Sequence, residues 1–135
     1  MDLVDLERFK DTVNKDPEFK IAARFWDGTV KVGMGEHTLI LKIKDGVLQD
    51  VLEPAGSNLM VVMREYDIEV SAPEAEWVQF LQEKPRRFYH DLFAAVVRHD
   101  FTWGGDMEMW FSYYGALRRM FELMRGSAKV PQEAS

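Results

Sequence analysis

Along the chain the hydrophobic positions first recur with a helical period. Leu6, Phe9 and Val13 fall on one side of a short amphipathic segment, and Asn14-Lys15 closes it. Asp16-Pro17-Glu18 reads as a helix start, because aspartate can accept from the free amides and proline already has a helical φ. A second helix is expected from Phe19 to Trp26, with Phe19, Ala22, Ala23 and Trp26 on one face. Asp27-Gly28 would stop it, glycine taking the left-handed terminal conformation; a hairpin turn at Asp-Gly is the alternative.

The period then falls to two. Val30, Val32 and Met34 alternate with Thr29, Lys31 and Gly33, and Leu39, Leu41 and Ile43 alternate with Ile40, Lys42 and Lys44. Gly35-Glu36 and Asp45-Gly46 supply turns, and Val47 to Leu52 forms a third strand. This is an antiparallel meander whose lysines mark a wet face. Residues 53–58 are rich in turn formers, and Leu59 to Met63 is apolar but too short to assign. Tyr66 to Val70 alternates as a fourth strand. Ser71 and Glu74 have capping-box spacing ahead of a helix from Ala75 to Glu83 that buries Trp77, Phe80 and Leu81. Pro85 opens a further helix with Phe88, Leu92, Ala95, Val96 and His99 on a face. Phe101 to Trp103 reads as a short fifth strand, turned by Gly104-Gly105 into a terminal helix capped by Asp106.

That last helix, Asp106 to Arg125, has more apolar surface than one core contact needs. Trp110, Tyr114, Leu117, Phe121 and Met124 make a first apolar line, and Met109, Tyr113, Ala116, Met120 and Leu123 a second. An ordinary amphipathic helix has a stripe about 100° wide. The second line therefore needs its own cover: a second helix, a partner chain or an apolar ligand. A helix deeply buried in a small core is the plain alternative.

The order of elements predicts an α+β fold with helices gathered on one face of a five-stranded, mainly antiparallel sheet. At 135 residues it is read as one domain over residues 1–125 with a frayed polar tail at 126–135. A net charge of -6 argues against nucleic acid as a partner. Without cysteine there is no thiolate chemistry, and three scattered histidines do not suggest a metal centre. No cofactor is expected. Neither a signal peptide nor a membrane span is legible, so the expected compartment is the cytoplasm. His90-Asp91 and His99-Asp100 each pair a histidine with a carboxylate, but neighbours on a helix point about 100° apart, so solvated helix charges are expected there and not an acid–base dyad. Lys84-Pro85-Arg86-Arg87 is a basic cluster on an acidic chain. It could meet a lipid carboxylate, a phosphate head group or, transiently, a membrane surface; a solvated helix start is the alternative.

Three features together resemble the sterol-carrier-protein-2-like lipid-binding family. They are the strand ending in Lys44-Asp45-Gly46-Val47, the strand Asp67 to Ala72 running into a helix with Trp77, and the short strand closing on Gly105-Asp106 before a long helix. The resemblance spans about Asp16 to Met124. It implies an apolar tunnel between sheet and helices that holds fatty acyl chains, sterols or similar lipids, with no catalysis. Two departures stand out: the ending Gln132-Glu133-Ala134-Ser135 lacks the peroxisomal address of some members, and Lys84 to Tyr89 is longer and more charged than the family pattern. Large apolar side chains suit such a wall, and eight methionines add adaptable surface. The expected ligand-binding set is Trp77, Phe80, Leu81, Phe88, Leu92, Phe93, Val96, Trp103, Trp110, Phe111, Tyr114 and Leu117. The expected function is non-catalytic binding or transfer of a lipid-like molecule. The alternatives are an accessory or homodimerising subunit presenting an apolar substrate to a partner enzyme, and an enzyme acting on a small hydrophobic substrate.

Overall fold

The computed structural model describes residues 2–54 and 66–133. Leu59 to Met63 lies outside them. The chain begins with helices α1 (Leu6–Lys15) and α2 (Pro17–Ala22), followed by strands β1 (Gly28–Met34), β2 (His37–Lys44) and β3 (Val47–Leu52). After β4 (Ile68–Ala72) come α3 (Glu74–Phe80), α4 (Leu92–Arg98), β5 (Thr102–Gly105), α5 (Met107–Ser112) and α6 (Tyr114–Met124). No helix among the described residues is long and apolar enough to cross a membrane.

The sheet has the order β3-β2-β1-β4-β5. The meander and the β4–β5 pair are antiparallel, and β1 pairs β4 in parallel. Alternation is the cause of its layering: Val30, Val32 and Met34 of β1, Leu39, Leu41 and Ile43 of β2, and Ile68 and Val70 of β4 are buried in one core with the helices. On the other face Lys31 forms an ion pair with Glu69 at 3.8 Å and lies over the Tyr66 ring. Ile40 on that face is buried outside the core, placed by the register between Lys31 and Leu52. Asp45 and Gly46, at φ 51° and 74°, make the tight left-handed turn between β2 and β3.

Several boundaries differ from those the sequence predicts. The first helix includes Asn14 and ends at Lys15; the Asn14 amide bonds both the N–H and the carbonyl of Leu48, each at 2.9 Å, tying α1 to β3. The second helix ends at Ala22, four residues early, and Trp26 is buried in the core from the turn beyond it. The left-handed residue is Phe25 at φ 70°, not Gly28, which opens β1. Strand β4 extends through Ser71 and Ala72, because its pairing with β1 continues to Met34↔Ala72. Ser71 is therefore a strand residue, and Pro73 takes the cap position of α3 without a side-chain bond.

Pro85 opens no helix. Arg125 accounts for the path of residues 81–91: its guanidinium donates to the carbonyls of Phe80, at 2.8 Å, and Tyr89, at 2.6 Å, and covers the Phe80 ring. A cation on the last carbonyls ends α3, and Phe88 then takes φ 68°. The terminal helix is likewise two helices. Asp106 caps α5 through the Met109 amide as expected, but Tyr113, at φ -116° and ψ 20°, leaves helical geometry before α6 begins. Its ring stacks on Trp26 at 5.1 Å and its hydroxyl donates to the Phe25 carbonyl. The stretch read as a polar tail is hydrogen-bonded to the domain: Ser127 O accepts from Asp5 N, Lys129 N donates to Leu3 O, and Gln82 bonds Pro131 O and Glu133 N.

Candidate functional site: an aromatic wall at the sheet edge

The predicted set divides into a sealed half and an open half. Trp77, Phe80, Leu81, Leu92, Trp110 and Leu117 are buried in the core. Trp77 donates its indole N–H to Gly33 O at 2.8 Å and packs edge-on against Phe80 and Phe101, with ring centroids at 5.6 and 4.9 Å, and tilted against Phe121 at 5.8 Å. These rings fill one another's space. Phe101, which the sequence reading assigned to a strand alone, is part of this cluster; it stands two residues before Trp103, so period-two alternation puts both on one side.

The open half lies where β5 forms the edge of the sheet. The pairing Val70↔Trp103 puts Trp103 on the same face as the buried Val70, at the rim of the core. Trp103 is half-buried and stands at the centre of a ring group. Trp110 meets it edge-on at 4.8 Å, Phe111 at 5.6 Å and Phe93 at 6.1 Å. Tyr114 closes the group against Trp110 at 5.9 Å and Phe93 at 6.1 Å. Phe93 is 43% exposed and Phe111 63%. Two side chains the sequence reading left out extend this surface: Val97, four residues after Phe93 on α4, and Met107, four before Phe111 on α5. The i, i+4 spacing was their only signal. Val96 is partly buried against the core, and Phe88 sits apart from the wall, between the guanidinium groups of Arg87 and Arg98.

Polar groups in this wall are few. The Tyr114 hydroxyl donates to Asp91 at 2.8 Å and accepts from the Phe93 amide at 2.9 Å, which fixes the start of α4 against α6. Burial, helped by the Asp91 carboxylate, pushes its pKa up, so it stays a neutral phenol at any physiological pH. The indole N–H of Trp110 is buried with no hydrogen-bond partner among the described residues. Neither histidine–aspartate neighbour forms a dyad: Asp91 is engaged by Tyr114, while His99 bonds Arg87 O at 3.0 Å and stacks on Tyr89 at 3.6 Å. Tyr89 itself is pushed up to about 12 by burial and by its bond to Glu76. Among the described residues no group of three or more His, Asp or Glu side chains is placed to hold a metal ion. The arrangement offers contact area and shape to an apolar molecule and little to a charged one.

Comparison with solved structures adds a likeness over nearly the whole chain. A crystal structure of sterol carrier protein 2 superposes with a TM-score of 0.69 at 16% identity, covering 90% of this chain and 94% of that one. The fold is that of sterol carrier protein 2. The solution structure of TT1886, a conserved hypothetical protein from Thermus thermophilus, matches with a TM-score of 0.65 at 17% identity, over 93% of this chain and 87% of that one. UbiJ-SCP2, a ubiquinone synthesis protein, matches at 0.55 and 16% identity, over 90% and 88%. In sequence, no protein-family model matches and no curated protein matches. At these identities the sterol-carrier-like likeness is one of fold.

Proposed function

We propose that this chain binds one apolar, lipid-like molecule non-catalytically against the aromatic wall of α4, β5, α5 and α6. The observation that carries the reading is the ring group around Trp103, left partly open at a sheet edge where a small domain would otherwise seal it. Exposed contiguous apolar surface of this kind marks a binding site more often than an idle face. Phe93, Trp103, Phe111 and Tyr114 would touch the ligand first. Trp110, edge-on against Trp103, would form the floor, and the partly buried Val96 would add aliphatic surface. The sterol-carrier-like fold supports the same reading. Titration of delipidated protein with a fluorescent fatty acid should give a Kd near micromolar, roughly -8 kcal/mol. Trp103→Ala should weaken binding about tenfold while the domain stays folded. Absence of binding across a broad lipid panel, with mass spectrometry finding no lipid in an extract of freshly purified protein, overturns the reading.

The likeness to UbiJ-SCP2 favours a second reading, an accessory subunit that presents its apolar ligand to a partner enzyme. It shares the binding step and adds a protein contact.

A further inference from the structure

Among the described residues Phe25, in the turn beyond α2, is the most exposed of the large apolar side chains, at 84%. It stands at φ 70°, a conformation that glycine takes freely and phenylalanine seldom does. Its turn packs on the β2–β3 turn: Gly46 N donates to Trp26 O at 3.1 Å, and a Cβ on Gly46 would come within 2.9 Å of Ala23 O. Between the two turns lies a cleft of about 460 Å³, lined by Lys20, Arg24, Phe25, Asp45, Gly46 and Val47. Val47 adds a second exposed apolar side chain. The charges around the cleft have both signs: Lys20, Arg24 and Lys44 are cations, and Asp27 and Asp45 are carboxylates. Asp27 accepts from the Asp45 amide at 2.7 Å, and Glu18, two residues before Lys20, is paired with Arg118 and Arg119. Lys20, Arg24 and the Asp45 carboxylate have no ion-pair partner among the described residues, although all three line the same cleft.

We propose that this cleft pairs with a second copy of the chain across a two-fold axis, the Phe25 ring of each copy entering the cleft of the other and Arg24 of each meeting Asp45 of the other. A two-fold contact joins a patch to itself, so the patch must hold both halves of every interaction. This one does: a projecting ring stands beside a cleft, and unspent cations stand beside an unspent carboxylate. A partner of one charge sign would be repelled by part of the patch, whereas a second copy turned by half a turn sets carboxylate against cation twice. Tyr113 holds the Phe25 carbonyl and Gly46 holds Trp26, so the ring is presented from a fixed turn and little ordering is left for the contact to supply. The cleft lies at the β2–β3 turn and the aromatic wall at the β5 edge, the opposite side of the sheet, so pairing does not depend on whether the wall holds a ligand.

Sedimentation equilibrium of the full chain over a range of concentrations is the test. The contact is smaller than a permanent dimer interface, so the dissociation constant should be on the order of 10–100 μM. Phe25→Gly should stay monomeric throughout, and it should fold, because glycine accepts φ 70°. Arg24→Glu sets a carboxylate against Asp45 of the second copy and should weaken the dimer about tenfold or more. Adding Asp45→Lys to the same chain should restore the dimer, since the swapped charges meet again across the axis. Fatty-acid titration should be the same in Phe25→Gly as in wild type, which keeps this result separate from that of the ligand reading. A wild type that is monomeric up to about 1 mM overturns the proposal. A dimer that survives Phe25→Gly overturns it too, and if Val97→Asp breaks that dimer the contact belongs to α4. Failure of the charge swap to restore the mass lost in Arg24→Glu overturns the two-fold pairing of Arg24 with Asp45.

Discussion

At the scale of single residues, Asp16 joins two elements. Its carboxylate accepts from the Phe19 amide at 2.8 Å, capping α2, and receives the Arg119 guanidinium through both oxygens, at 2.8 and 3.0 Å, binding that cap to α6. The bond to Arg119, opposed by burial and aided by the cap, holds its pKa below the usual 3.8. A depressed carboxylate stabilises the fold at all pH above its unfolded value, and that contribution is lost as pH falls through the lower folded value. Asp16→Asn keeps a capping oxygen but loses the charged fork. It should lower stability by about 1–2 kcal/mol at neutral pH. Urea titrations should find this difference shrinking below about pH 4, as the carboxylate protonates first in the unfolded and then in the folded wild type; a difference constant down to about pH 2 would refute the assignment. Gly105 illustrates the opposite kind of residue: at φ 91° a Cβ there would run into the Asp67 carbonyl, so the turn from β5 into α5 tolerates no side chain.

At the scale of elements, the two apolar lines of the terminal segment are covered by the chain itself. Trp110, Leu117, Phe121 and Met124 face the core, and Ala116 and Met120 of the second line are fully buried as well. The N-terminal helices supply that second cover: α2 packs along α6, and Trp26 stacks on Tyr113 where the helix breaks. Of the covers open from the sequence, a second helix is the one present for this line. Ala116→Phe therefore overpacks a filled space and should reduce stability by about 1–3 kcal/mol in thermal or urea unfolding. An unchanged melting temperature, with weaker fatty-acid binding, would instead put ligand space beside Ala116.

At the scale of the whole molecule, the segment after α6 closes the structure. Val130 and Ser127 are buried, Val4 and Ala128 form an isolated antiparallel bridge, and Gln82 ties residues 131–133 to the loop beyond α3. This links the N-terminus, the terminal helix and the 81–91 path that leads to the aromatic wall. Deleting residues 127–135 should lower stability by roughly 2–4 kcal/mol, from the burial of Val130 and the loss of several backbone bonds. Hydrogen exchange should then quicken in residues 81–91 before it does in the meander. Uniform exchange rates in the two regions would show that the segment does not support that path.

The sequence by itself determined the sheet and the layering. Alternation with a period of two fixed which side of β1, β2 and β4 is buried, and Asp45-Gly46 fixed the turn between β2 and β3, because these rest on local backbone preferences and on side-chain burial along one strand. The fold class and the sterol-carrier-like order of elements followed from the same local signals. The tertiary structure decided the ends of the helices and the division of the predicted site. Trp26, beyond the end of α2 at Ala22, stacks on Tyr113; Arg125, far along the chain, ended α3 at Phe80; the continued β1–β4 pairing kept Ser71 in a strand. Each is a contact between residues distant in sequence, to which periodicity is blind. The same holds for the aromatic set. Pattern identified large apolar side chains, but only packing could seal Trp77 and Phe80 among Phe101 and Phe121 while leaving Phe93, Trp103 and Phe111 open at the edge of the sheet.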